Sequence, residues 1–331
     1  MATRIGVAGT GRLGREHVRV LAGLDGVDFV ACHDTNASCM REVAAANNAT
    51  PFDTLDAMFD SVDAVSIVVP TTDHYSIAMR AIGKGLDVFV EKPVAASVAE
   101  AEEMLGAARL RGRILQVGHV ERFNGAVEAV ANRLGKPSFI EIHRLAPFTL
   151  RGTEVSVVGD LMIHDLDLLG YFLKEEPVDI RAKGASILTS SPDIVNVRLE
   201  YPSGCVANVT ASRVTIAPMR KVRVFSPESY VSIDLLKGEA SCYRKADGFE
   251  ERVASLPDAR VGGMAALLNL TDFIEIETVK PDRVEPLRKE LDAFRHSVTT
   301  RALPPVTGED GLSAVRLATQ ILNQMEQDAA S

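Results

Sequence analysis

The chain has 331 residues, 46% hydrophobic and 24% charged, with a formal net charge of −9. That length is roughly twice a domain of ~150 residues and predicts two separate cores; the composition excludes a disordered or fibrous polymer. The acidic balance argues against nucleic acid, whose binding needs basic surface to displace counterions, and leaves room for a local basic pocket for one small anion.

From residue 3 to about 120, short apolar runs alternate with helical patterns. The runs are Ile5 to Ala8, Phe29 to Cys32, Ala64 to Val69, Val88 to Val90 and Ile114 to Val117. Between them Leu13 to Leu24, Ala37 to Asn47, His74 to Ile82 and Val98 to Leu110 read as helices, the last opened by a Ser97-x-x-Glu100 capping box. This alternation predicts an α/β class, with a doubly wound parallel sheet over residues 1–121.

Residues 122–331 change rhythm. "NVRLEY", "VANVTASRV", "KVRVF" and "YVSIDL" alternate apolar and polar residues between turn signals such as Pro202-Ser203-Gly204, which predicts an α+β domain with a mostly antiparallel sheet. Helices are predicted from Pro286 to Val298 and in the final "VTGEDGLSAVRLATQILNQM". The aliphatic runs fall far short of the ~20 residues that cross a bilayer, and glycines interrupt what a signal peptide would keep apolar. Cys32, Cys39, Cys205 and Cys242 lack C-x-x-C spacing, so they read as reduced thiols in a cytoplasmic protein.

The first strand runs into Gly9-x-Gly11-x-x-Gly14, with Arg12 and Leu13 opening the helix that follows. Gly9 permits the tight turn, Gly11 lets a pyrophosphate approach the backbone, Gly14 lets helix and strand pack closely, and the helix N-terminus supplies amides. The second strand ends at Asp34, 20 residues beyond Gly14, where a carboxylate accepts from both adenosine ribose hydroxyls. A 2′-phosphate would meet like charge there, and no arginine follows at Thr35 or Asn36. The expected cofactor is NAD, in preference to NADP.

Ligands bind at the carboxyl edge of such a sheet, where "VFVEKP" places Lys92. Pro93 disfavours helical backbone at Lys92 and holds the chain extended. A lysine near a cofactor can hydrogen-bond a reacting oxygen; a solvated strand-end lysine is an equal reading of this triplet alone. In "VVGDLMIHDLDLLGYFL" the residues Asp160, His164 and Asp167 fall at i, i+4 and i+7, one stripe of an otherwise apolar helix. A polar stripe there needs partners. His164 is suited to a general base with a carboxylate to orient it; a structural Asp-His pair and a divalent metal remain open, although no thiolate lies nearby.

The order of these parts resembles the Gfo/Idh/MocA oxidoreductases: GxGxxG, then "VPTTDH" with Pro70, Thr71 and His74, then Glu91-Lys92-Pro93, then Asp-x-x-x-His, with "VTGEDGL" before the last helix. The resemblance implies a Rossmann domain, then a domain whose large open sheet forms homodimers or homotetramers, and oxidation of a sugar or cyclitol hydroxyl with NAD or NADP. It implies that Lys92 contacts the reacting hydroxyl, that His164 is the acid/base and that Asp160 binds substrate or assists. Pro70, Thr71, His74, Glu91 and Gln116 would line the nicotinamide half of the site. "HVERFN" and "VVGDLMIHDLDLL" are most similar to the bacterial branch acting on nucleotide sugars, including UDP-N-acetylglucosamine 3-dehydrogenases.

Arg122, Arg144 and Arg151 flank the segments leading to the His164 helix and would suit a diphosphate; Asn124 and Asp167 complete the candidate substrate contacts. A free-sugar or inositol dehydrogenase and a non-catalytic NAD-binding regulator are the alternatives. A short-chain dehydrogenase needs Tyr-x-x-x-Lys, which none of Tyr75, Tyr171, Tyr201, Tyr230 and Tyr243 begins.

Overall fold

A computed structural model of the chain describes residues 3–149, 155–254, 273–279, 281 and 283–330. The first stretch runs β1 (Thr3–Ala8), α1 (Arg12–Ala22), β2 (Val27–His33), α2 (Ala37–Ala46), β3 (Thr50–Pro51), α3 (Leu55–Phe59), β4 (Ala64–Ile67), α4 (Thr71–Gly83), β5 (Asp87–Glu91), α5 (Val98–Leu110) and β6 (Leu115–Gly118). β3 and α3 were not anticipated, because elements of two and five residues are too short to display a period. Then come α6 (Gly125–Val130), β7 (Phe139–Leu145), α7 (Ile163–Leu173), β8 (Asp179–Ala185), β9 (Ile194–Glu200), β10 (Val206–Ser212), β11 (Met219–Phe225), β12 (Ser229–Asp234), β13 (Glu239–Lys245), α8 (Phe249–Ala254), β14 (Ile274–Val279), α9 (Pro286–Thr300) and α10 (Gly308–Ala330).

Two compact units emerge. The first joins Met1–Phe123 to Gly152–Tyr171 and Val284–Ser331; the second joins Asn124–Arg151 to Phe172–Arg283. A single cut between residues 121 and 122 therefore does not describe them, because α9 and α10 return to the first sheet. Leu291 and Phe294 of α9 bury with α1 and α2 on one face, and Val306, Leu312 and Val315 bury with α4 and α5 on the other. Thr307 also bridges to Gln116 at the β6 edge.

The first sheet has the order β3-β2-β1-β4-β5-β6 and is parallel throughout. Strand order reverses between β1 and β4, the switch point where ligands bind in doubly wound sheets. Side chains alternate between its faces as the pleat requires. Val65 and Ile67, like Val88 and Val90, enter the α4–α5 core, whereas Ala64 and Phe89 enter the α1–α9 core. Glu91 shares Phe89's parity, and this puts a carboxylate on the α1–α9 face. The α5 capping box forms: Ser97 Oγ accepts from the Glu100 amide, while Glu100 accepts from the Ala96 amide.

The second unit carries an eight-stranded sheet, β14-β13-β12-β11-β7-β10-β9-β8, antiparallel except for the β7–β10 pair. One face buries Ile140, Ile142, Val197, Val209, Val222 and Val231. Across the opposite face runs a register row of Phe139, Phe225, Tyr230, Tyr243 and Ile276. Phe225 stacks on Tyr230 and Tyr230 on Tyr243, with ring centroids 4.7 and 4.9 Å apart. Among the described residues, no helix is long and apolar enough to cross a membrane, and the four cysteines are free.

Candidate active site

The glycine turn is shaped by what a Cβ would strike. Gly9 has φ 94°, a left-handed conformation that side chains resist. A Cβ on Gly9 would lie 2.3 Å from the Val68 carbonyl oxygen, and one on Gly14 would lie 2.0 Å from that of Gly9. At Gly11 a Cβ would meet nothing within 4 Å, so the bare backbone there faces open space, the cradle a pyrophosphate requires. Exposed Arg12 and Leu13 open α1, whose first turn holds no acidic residue and whose N-cap makes no side-chain bond. Its leading amides and positive dipole end thus suit a phosphate.

Asp34 follows β2 and is fixed beside this turn. Its Oδ2 accepts from the Thr10 amide at 2.6 Å and the Thr10 hydroxyl at 3.0 Å, and its Oδ1 accepts from the Asn36 amide at 2.8 Å. Burial alone would raise its pKa, but these bonds outweigh burial and hold the carboxyl below its ordinary range. The residues present therefore fit the adenosine and pyrophosphate of NAD.

At the end of β5, the Glu91 carboxylate lies between His17 and the Lys92 amide. Oε1 lies 3.2 Å from His17 Nε2, and Oε2 accepts from the Lys92 amide at 3.3 Å. Gly118 makes the room, since a Cβ there would lie 2.8 Å from Glu91 Oε1. His17 Nδ1 is 2.9 Å from Ser66 Oγ, so Ser66, His17 and Glu91 form a buried polar ladder through the α1 face. The Lys92–Pro93 peptide is cis. His74 is buried and does not open to the crevice: its ring nitrogens lie 2.9 Å from the Pro93 carbonyl and 3.0 Å from the Val69 carbonyl. Burial chiefly lowers its pKa against those bonds, so the neutral ring donates to one carbonyl at a time and ties the EKP turn to α4.

The helix expected around Asp160 is not regular. Val158–Met162 forms one π turn before α7 begins, the kind of bulge that re-phases side chains at functional sites. Asp160 lies within this turn. Lys92 Nζ donates to its carbonyl at 2.8 Å and to its Oδ1 at 3.2 Å, with 47% of the Asp160 side chain exposed against 19% of the lysine's. His164 is half-buried one turn on, and its ring meets that of His119 edge-on with centroids 6.2 Å apart. His119 is buried and its pKa lowered, first by desolvation and then by Arg122 and Lys92 against the pull of Asp167 and Glu91, so it is a neutral imidazole.

Asp167 and Arg122 form an internal clasp. Arg122 Nε and Nη2 donate to Asp167 at 2.8 and 2.6 Å, Nη2 reaches Asp310 at 3.0 Å, and Nη1 donates to the Pro305 carbonyl at 3.3 Å. The guanidinium also lies 5.0 Å from the Tyr171 ring centre. With both groups buried, the fork is spent on holding the segment after β6, α7 and the start of α10 together. Asn124 is likewise structural: its Oδ1 caps α6 through the Ala126 amide and its Nδ2 donates to the Leu235 carbonyl. Arg144 is buried on β7 between Ala211 and Arg220, and Arg151 lies outside the described residues.

Thr71 and exposed Pro70 stand at the start of α4. Gln116 is fully buried and donates from Nε2 to the Glu290 carbonyl. Sequence reasoning missed His17, His119 and Glu290. Two of them carried a readable signal: His17 sits on the apolar stripe of Gly14, Val18 and Leu21, and Glu290 on that of Leu287, Leu291 and Phe294. Among the described residues, no cluster of three or more His, Cys, Asp or Glu is placed to hold a metal.

A parallel sheet with this glycine cradle and its aspartate defines a Rossmann unit that binds NAD. Residues 3–119 match the family model of oxidoreductases with an NAD-binding Rossmann fold, and residues 126–229 match the GFO/IDH/MocA C-terminal domain. The chain is 36% identical over 259 residues to the UDP-N-acetylglucosamine 3-dehydrogenase of Acidithiobacillus ferrooxidans, covering 78% of this chain and 82% of that one. A solved structure of that enzyme superposes with a TM-score of 0.86 at 31% identity over 99% of both chains. Inositol 2-dehydrogenase 1 of Saccharopolyspora erythraea is 31% identical over 341 residues, covering 98% of this chain and 95% of its own. The chain belongs to the Gfo/Idh/MocA oxidoreductase family.

Proposed function

We propose that this enzyme oxidises a secondary hydroxyl of a nucleotide sugar such as UDP-N-acetylglucosamine, at C3. The observation that carries the chemistry is Lys92 Nζ, held at the end of β5 by Asp160 with His164 one helical turn away. Bound NAD supplies the hydride acceptor. Lys92 donates to the reacting oxygen and stabilises the alkoxide charge that develops on it. His164 takes the hydroxyl proton, and Asp160 orients the ammonium. His119, neutral and packed against His164, fixes that ring without competing for the proton. Similarity to the Acidithiobacillus enzyme over most of both chains supports the nucleotide-sugar substrate.

Arg122 favours a second reading. Its commitment to Asp167 and Asp310 removes one expected diphosphate fork, as suits a free sugar or inositol. The test is NADH production from UDP-N-acetylglucosamine, the free sugars and myo-inositol, with Lys92→Ala as control. Turnover of the UDP-sugar that falls at least ~100-fold in Lys92→Ala is expected; turnover confined to free polyols would replace the nucleotide-sugar reading, and wild type as inert as the variant on all would favour a regulator. The aromatic row across the second sheet supports a homodimer or homotetramer through that face.

A further inference from the structure

The most unusual group in the first unit takes no part in this chemistry. Glu290 on α9 is 0% exposed, and neither carboxyl oxygen has a hydrogen-bond partner. Also unmet are Gln116 Oε1 on β6, both ring nitrogens of His119 just after it, and His17 Nε2, which lies 3.2 Å from Glu91 Oε1 without forming a hydrogen bond. Gln116 Nε2 bonds the carbonyl of residue 290 itself, which ties β6 to α9 at this residue. An ionised carboxylate cannot persist there unpaired, whereas a neutral carboxylic acid offers one O–H donor and an acceptor. Gln116 Oε1 needs a donor. The inventory is complementary, and an internal water can bridge such groups.

The charged surroundings point the same way. Burial first, then the negative charges of Glu91 and Asp167, raise the Glu290 pKa well above its ordinary range. Asp167 is neutralised by Arg122 and Glu91 faces His17, with Lys92 beyond. A second carboxylate nearby would repel Glu91, whose Oε2 accepts from the Lys92 amide and whose Oε1 lies 3.2 Å from His17 Nε2.

We propose that Glu290 is a positioning residue: a neutral carboxylic acid that closes a buried hydrogen-bonded site with Gln116. It leaves Glu91 as the carboxylate at the end of β5 and so fixes the backbone from which Lys92 projects.

The test needs no substrate and so stands apart from the sugar reading. Infrared difference spectra of the full chain at neutral pH should show a protonated-carboxyl carbonyl band in wild type that Glu290→Gln lacks. Wild type should also lose stability relative to Glu290→Gln as pH climbs above the ordinary glutamate range, because the folded state then holds the extra proton. With lysine selectively labelled with nitrogen-15, the Lys92 amide resonance should move in Glu290→Leu and return in Glu290→Gln. Absence of the carboxyl band, or a Lys92 resonance unmoved by Glu290→Leu, overturns the proposal. Should Glu290→Leu fail to fold, the band and the pH dependence of Glu290→Gln decide it.

Discussion

Replacing Arg122 with methionine separates a clasp from a ligand contact. The Arg122 side chain is 7% exposed and that of Asp167 is 0% exposed, so the substitution leaves a carboxylate in the interior without its bidentate partner. Breaking a buried pair from one side costs about 3–5 kcal/mol. In a unit of this size each kcal/mol moves the midpoint by about 2–4 °C, so thermal unfolding followed by circular dichroism should show Tm falling by roughly 6–20 °C. Asp310, whose side chain keeps 31% exposure, retains water and adds little. The double variant Arg122→Met/Asp167→Leu removes the stranded charge and should recover most of the loss. There is a pH signature as well. Burial opposes it, but the Arg122 charge leads the effects that hold the Asp310 carboxyl below its ordinary range. That contribution is present above the usual carboxyl range and lost as pH falls through the lowered value, and it should vanish in Arg122→Met. A Tm within about 2 °C of wild type, joined to a KM for sugar nucleotide raised about tenfold or more, would refute the clasp and return Arg122 to the ligand.

The glycine turn allows a paired test. Gly14→Ala forces a Cβ against the Gly9 carbonyl and should cost about 1–3 kcal/mol of stability, whereas Gly11→Ala meets open space and should keep its Tm while weakening NAD binding measured by calorimetry. NAD affinity unchanged in Gly11→Ala would contradict the cradle. Asp34→Ala should relax discrimination against NADP by about tenfold, ~1.4 kcal/mol; an unchanged ratio of the two dissociation constants would show that another group rejects the 2′-phosphate.

The parallel sheet was legible because each of its longer elements carries its own signal. Apolar runs of three to six residues, helical periodicity and the Ser97 box are local, and a period needs no knowledge of the partner. The Gly9, Gly11 and Gly14 spacing was equally legible, since the turn it forms is built from adjacent residues. The polar stripe was readable only as residue types. A helix drawn at 3.6 residues per turn aligns Asp160, His164 and Asp167, but the segment at Asp160 is a π turn, which no residue in "VVGDLM" announces.

Partner choice lay beyond the sequence altogether. Three arginines near the His164 helix looked alike as candidates for a diphosphate, yet Arg122 is consumed by Asp167 and Asp310, contacts 45 residues and more away. Glu290 stands 199 positions from Glu91, and only the return of α9 to the α1 face brings it within reach of the Glu91 charge at the end of β5. The sequence by itself determined the sheet, the cofactor turn and the presence of a lysine, a histidine and a carboxylate able to do hydride-transfer chemistry. Tertiary structure decided which carboxylate holds Lys92, which arginine is already spent and which acid lies buried near Glu91. Periodicity and turn chemistry act between neighbours along the chain, whereas burial and charge pairing act between residues that only folding brings close.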